Sequence, residues 1–197
     1  MSDPVSALMG ERVEPRSGLV CSDVSERGQI TLKADLEIEA VRAAINEVVG
    51  VVCPDPRGAV FSEDNRGAVW MAGDELLLFV PRAEVASVTA DLTERLADLH
   101  AMVLDVSDAR AILRLTGPDA AETLAKGTPV DLRDAAFPIG LARRTHLAGL
   151  AVGIWRRDAD VWEVVCFRSY AHHLFAWLAQ VGQSGAEVQH APLSAKA

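Results

Sequence analysis

The sequence predicts an α+β fold of two pseudo-repeated βαββα units with mixed or antiparallel sheets. Three observations carry that reading. First, one order of elements (strand, helix, strand, turn, strand, helix) runs twice along the chain. Second, VWMAGDELLLFVPRAEVASVTADL and VGIWRRDADVWEVVCFRSYAHHLFAWL each align a Trp-bearing strand, a charged turn, an apolar strand, an Arg and a helix. Third, the strands LLLFV and VWEVV are apolar on both faces or nearly so, which requires cover on both sides.

The first unit is expected over residues 29–100. It opens with the strand QITLK. Asp35 then stands in an N-cap position before Ile38, Val41, Ile45, Val48 and Val49, whose spacing marks one buried helix face. Gly50 stops that helix. The loop CPDPRGAVFSEDNRG leads to the paired strands AVWM and LLLFV, and Pro81 opens a helix buried through Val85, Val88, Leu92, Leu96 and Leu99.

The second unit is expected over residues 101–182, with strands at 110–115, 147–155 and 161–167 and helices at 118–126 and 169–181. In TGPDAAETLAKG, Gly117 and Pro118 start a helix, Asp119 and Glu122 suit its N-terminal end and Gly127 stops it. Residues 1–28 fit neither unit and are expected to form an irregular arm. Residues 183–197 are expected to form a tail, leaving 29–182 as one compact domain.

Composition narrows the function classes. Half of the residues are hydrophobic and 24% are charged, as in a globular chain. The net charge of -9 disfavours nucleic acid as a partner. Residues 1–100 carry nine basic and 18 acidic side chains, whereas residues 101–197 carry ten of each, so all the excess acid lies in the first half. No apolar run reaches the length of about 18 to 20 residues that crosses a bilayer, and MSDPVSALMGERVEPRSG has no basic start followed by an apolar core. A cytoplasmic protein that does not engage the membrane is expected. Cys21, Cys53 and Cys166 are too scattered for a disulfide framework and read as reduced thiols.

No catalytic residue emerges. His172 and His173 are adjacent on a helix and point about 100° apart, with no further ligand at metal spacing. Asp105, Asp108, Asp119 and Glu122 cluster near element ends, where acids already have a structural reason. The chain lacks the nucleophile elbow, the phosphate loop and the dinucleotide fingerprint. No metal site and no cofactor-binding residue is assigned. What remains is a set of contact residues: Arg143, Arg144, Arg156 and Arg157, suited to an anionic ligand or an acidic partner surface, with His172 and Phe175 on the last helix.

Four stretches together carry a family resemblance: WMAGDELLLFVP, DVSDARAILRLTGPDAAETLAKGTPVDL, FPIGLARRTHLAGLAVGIWR and WEVVCFRSYAHHLFAWL. In order and spacing, from about Gly18 to Leu178, the chain resembles the gamma subunit family of heterotetrameric sarcosine oxidase. The resemblance implies a fold related to the folate-binding domain of the glycine-cleavage T-protein. It also implies a non-catalytic subunit of a complex that oxidatively demethylates sarcosine to glycine, passing the one-carbon unit to tetrahydrofolate. Alpha, beta and delta subunits would be the partners, holding FAD, FMN, NAD, tetrahydrofolate and zinc, with no cofactor in this chain. Where members commonly read Lys-Gly-Cys, this chain has Lys126, Gly127 and Thr128. That departure leaves open a subunit of a related N-methyl amino acid oxidase or dehydrogenase, and the shared fold offers a further alternative, a free-standing folate-binding or aminomethyltransferase-like protein.

Overall fold

The structure, a computed structural model, describes residues 6–186. The expected tail therefore lies, from residue 187, outside the described residues.

Two antiparallel sheets form the centre. One contains β3 (Gly28–Lys33), β4 (Ala59–Phe61), β5 (Gly67–Ala72), β6 (Glu75–Val80) and β7 (Met102–Asp105), in the order β4-β5-β6-β3-β7. The other contains β1 (Arg12–Arg16), β2 (Leu19–Asp23), β8 (Arg110–Thr116), β9 (Ala142–Leu147), β10 (Leu150–Asp158) and β11 (Val161–Phe167), in the order β1-β2-β8-β11-β10-β9. Helices α1 (Glu39–Val49) and α2 (Val85–Arg95) cover the outer face of the first sheet. Helices α3 (Ala120–Ala125) and α4 (Ala171–Val181) cover that of the second.

Strand alternation explains the doubly apolar runs. In β6, Leu76, Leu78 and Val80 pack under α1 and α2, while Leu77 and Phe79 turn to the other sheet. There they join Val69 and Met71 against Ile112, Trp155 and Val165, so the layers run helix, sheet, sheet, helix. The expected repeat is visible in the topology: β3-β6-β5-β4 and β8-β11-β10-β9 are the same four-strand arrangement met twice.

The expected unit boundaries need correction. Strand β2 directly precedes β3 in the chain yet pairs with β8, and β7 directly precedes β8 yet pairs with β3. Each half thus lends its leading strand to the other sheet. Residues 12–23 are consequently paired strands rather than an irregular arm, and 102–105 belong to the first sheet rather than to the second unit. Without the exchange, the outer edges of β3 and β8 would present unpaired N–H and C=O groups.

A repeated Asp-Val-Ser makes each crossing. The Ser25 hydroxyl accepts the Ile112 N–H of β8 at 2.9 Å, and the Ser107 hydroxyl accepts the Gln29 N–H of β3 at 2.9 Å. Val24 and Val106 donate their N–H groups to the Ile112 and Gln29 carbonyls, both at 2.9 Å. Asp23 and Asp105 accept the amides of Ser25 and Ser107 two residues on, at 3.0 and 2.9 Å. The crossings therefore match group for group, which defines an approximate internal twofold.

Three local expectations also shift. Asp35 accepts the Glu37 N–H at 3.0 Å in a turn of its own, so α1 starts later, at Glu39. The expected strand 147–155 is the start of a hairpin: β9 ends at Leu147 and β10 begins at Leu150, across Ala148 and Gly149 at φ 52° and 80°. Two positive φ values match the twist of a two-residue hairpin, but Ala gives no turn signal there. Strand β4 lies inside the expected loop. Gly117, at φ 131°, is required by close approach: a Cβ there would sit 1.9 Å from the Gly18 carbonyl oxygen.

Replacing Ser107 by Ala is expected to strand the buried Gln29 N–H and lower stability by about 1–3 kcal/mol. Ser25→Ala should do the same at Ile112. Equilibrium urea unfolding checks both, and midpoints equal to wild type would refute the bracing role of the crossings.

Candidate functional site

The twofold brings two related places into the layer between the sheets, and they are built differently. On one side Glu163 of β11 is fully buried. Arg114, its cross-strand partner on β8, donates from Nε at 2.9 Å and Nη2 at 2.6 Å to Oε1. Arg27, at the crossing into β3, donates from Nη2 to Oε2 at 3.0 Å, and the Trp155 indole N–H donates to the same oxygen at 2.8 Å. Arg157 lies 3.8 Å from Oε1, with its guanidinium 3.7 Å from the centre of the Phe61 ring. Arg27 likewise sits 4.6 Å from the centre of the Phe79 ring.

Burial alone would raise the Glu163 carboxyl, but Arg27, Arg114 and Arg157 overcome it and hold it below the ordinary 4.5. Burial lowers Arg157, with Arg27 and Arg114 adding to the effect against Glu163. Three guanidinium groups around one carboxylate leave a local excess of positive charge, spread over aromatic faces and a partly open rim at Arg114. The cluster ties the crossing into β3 of one sheet to β8, β10 and β11 of the other.

Strand registers identify the related residues on the opposite side. Thr31 pairs with Leu77, and Leu77 with Val69, just as Arg114 pairs with Glu163, and Glu163 with Trp155. Leu77 and Val69 thus stand for Glu163 and Trp155. Met71 occupies the same irregular step of β5 that Arg157 occupies in β10. Arg144, opposite Gly153, takes the place that Phe61 holds opposite Gly67.

Smaller side chains leave a cleft of about 480 Å³ there, lined among others by Met71, Glu75, Arg110, Arg144, His146 and Phe167. Arg110, the counterpart of Arg27, reaches Glu75 at 3.4 Å and the Thr31 hydroxyl at 3.3 Å. Lys33 approaches Glu75 at 3.7 Å. Arg144 is exposed, and its guanidinium makes no ion pair among the described residues.

The residues expected at a contact surface are not brought together. Arg156 is buried: it donates to Asp134 at 2.7 Å and to the carbonyls of Phe137, Ala159 and Asp158, and its guanidinium lies over Trp162. Arg157 belongs to the Glu163 cluster. Arg143 is half-buried and donates to the Ala142 carbonyl, with burial and then the nearby Arg57 lowering it. His172 is exposed on α4 with Ala7, Ala109, Arg168 and Ser169 about it, and Phe175 packs half-buried on the core. Among the described residues no His, Cys, Asp and Glu group is placed to hold a metal ion. No helix there is long and apolar enough to cross a membrane. Sequence reasoning missed Glu163, Arg27 and Arg114. The repeated DVSER and DVSDAR segments were the available signal, since each carries an Arg at its crossing.

The interlocked halves, with a buried carboxylate held by the chain's own arginines between them, define an α+β domain of two packed antiparallel sheets covered by helices on both outer faces. It superposes with a TM-score of 0.61 on the glycine cleavage system aminomethyltransferase T from Bartonella henselae, at 17% identity, over 83% of this chain and 46% of that one. More specifically, the chain belongs to the sarcosine oxidase, gamma subunit family, whose model matches residues 33–184. It is 36% identical over 137 residues to sarcosine oxidase subunit gamma from Corynebacterium sp. strain P-1. That alignment covers 69% of this chain and 66% of the relative, slightly under two thirds of its length. A chain of the heterotetrameric sarcosine oxidase from Corynebacterium sp. U-96, solved with pyrrole 2-carboxylate, superposes with a TM-score of 0.77 at 26% identity, covering 88% of each chain.

Glu163→Gln removes the anion that three guanidinium groups surround, and a loss of about 3–5 kcal/mol is expected in denaturant unfolding. Because the folded carboxyl titrates below its ordinary value of 4.5, its stabilisation is fully present above that pH and is lost as pH falls through the lowered folded value. A wild-type and Glu163→Gln pair with identical acid unfolding profiles would refute this role. Burial, joined at Cys21 by Asp23, also pushes the Cys21 and Cys166 thiols up to about 12. Both should resist a thiol reagent at pH 8 until the protein is unfolded, and rapid labelling of either in the native state would contradict the burial.

Proposed function

We propose that this chain is the gamma subunit of a heterotetrameric sarcosine oxidase and serves as a non-catalytic structural subunit. Its complex would oxidatively demethylate sarcosine to glycine and pass the one-carbon unit to tetrahydrofolate. The observation that carries the reading is the family match over residues 33–184, across both interlocked halves. Supporting it, the buried Glu163 carboxylate is already taken up by Arg27, Arg114 and the Trp155 indole N–H. The alpha, beta and delta subunits would hold the FAD, FMN, NAD, tetrahydrofolate and zinc, and the complex would work in the cytoplasm.

Within this chain, Arg143, Arg144, His172 and Phe175 remain contact residues toward those partners. Arg156 and Arg157 act from beneath, by holding the sheet edge in shape. The aminomethyltransferase-like fold favours one second reading, a free-standing folate-binding protein.

Co-expression with the subunits encoded by neighbouring genes is expected to recover a yellow complex through a tag on this chain. The isolated chain should be colourless and give no heat when titrated with tetrahydrofolate. Recovery of no flavoprotein would sink the subunit reading, and tight folate binding by the isolated chain would establish the second one.

A further inference from the structure

We propose that the open cleft between the sheets is a socket for an acidic, extended segment of a partner subunit. A carboxylate of that segment pairs with Arg144, and an apolar side chain beside it packs on Met71 and Phe167. The inference rests on the subunit reading and names the partner chemistry at one place.

Charge is the first argument. The chain as a whole carries -9, yet the cleft presents Arg110 and Arg144 against the single acid Glu75. Glu75 is already shared between Arg110 at 3.4 Å and Lys33 at 3.7 Å. Arg144 stands exposed at the cleft with no ion-pair partner among the described residues, so a partner carboxylate that covers it would form a charge-assisted pair shielded from water. An acidic segment is repelled by the rest of the acidic first half, so the cleft also sets its orientation.

Shape is the second argument. The internal twofold shows how this fold fills the same space elsewhere: on the sealed side, the Trp155 indole and the Arg157 guanidinium occupy it. Val69 and Met71 replace them on the open side, and no residue of the described chain takes up the difference.

The rim gives the third argument. Phe167 is 58% exposed, and Tyr170, 40% exposed, meets it edge-on with ring centres 6.4 Å apart. An aromatic pair flanking a charged recess extends past the reach of a small ligand and resembles the apolar centre of an interface.

The test compares the wild type with Arg144→Glu, Phe167→Ser and a control, Arg12→Glu, which makes the same charge change on an exposed residue at the opposite edge of the sheet. Each tagged full-length chain is co-expressed with the neighbouring-gene subunits, and affinity is measured on the recovered complex. Wild type and Arg12→Glu are expected to assemble alike. Arg144→Glu and Phe167→Ser should each weaken assembly roughly tenfold or more while melting as wild type, and added salt should erase most of the Arg144 effect.

Wild-type assembly with both cleft variants unaffected overturns the socket alone. Failure of the wild type to recover any subunit overturns the subunit reading and the socket with it. The isolated chain is also titrated with benzoate. Saturable binding that disappears in Arg144→Glu would assign the cleft to a small carboxylate and overturn the peptide segment.

Discussion

The two Asp-Val-Ser crossings hold this architecture together. At each, a serine hydroxyl accepts an amide near the start of a central strand, and the valine just before that serine donates to the same residue's carbonyl. That geometry sends β2 away from β3 to pair with β8, and β7 away from β8 to pair with β3. Neither half can then complete its sheet without the other. The ladder hydrogen bonds of β3 and β8 depend on strands some 80 residues distant in the other half, so the halves share one stability. The arginines at the crossings extend the coupling, since Arg27 reaches Glu163 in the second sheet and Arg110 reaches Glu75 in the first.

One approximate symmetry operation thus produces two unlike places. On the sealed side a carboxylate lies among three guanidinium groups and an indole N–H, with Phe61 and Phe79 offering their faces to the cations. Such clusters cost desolvation, and their contribution is geometric selectivity: the pairing is met only when both sheets, β10 and the first crossing are correctly placed. On the open side, Leu77, Val69 and Met71 stand where Glu163, Trp155 and Arg157 stand on the sealed side, and the sheets part into a cleft. The two sides therefore differ in packing: one is filled by the buried cluster and the other is left open.

Much of the fold is legible along the chain because helix signals are local. Val41, Ile45 and Val49 repeat at helical spacing, Gly50 at positive φ ends α1, and the β5-β6 hairpin shows its charged turn. The leading strands were illegible. β1 and β2 are short, and β2 is recognised by a partner strand about 90 residues later rather than by its own pattern. The hairpin at Ala148 and Gly149 was hidden for a different reason: alanine takes a backbone conformation there that its own preference disfavours. For the candidate site the limit is sharper. Arg114 looks like a polar residue on a half-wet strand, and although the strand of Glu163 reads as covered on both faces, only the second sheet shows which groups meet its carboxylate.

Taken alone, the sequence determined the α+β class, the doubled element order, the helix faces and the family, because each depends on local periodicity or on motifs read in order. The tertiary structure alone decided the strand exchange, which of the adjacent residues Arg156 and Arg157 turns toward Trp162 and which toward Glu163, and which glutamate is sealed. Those outcomes follow from strand alternation combined with sheet-on-sheet packing. The direction of each side chain is local, but whether that direction leads to water or to another sheet is set by residues far away in the chain.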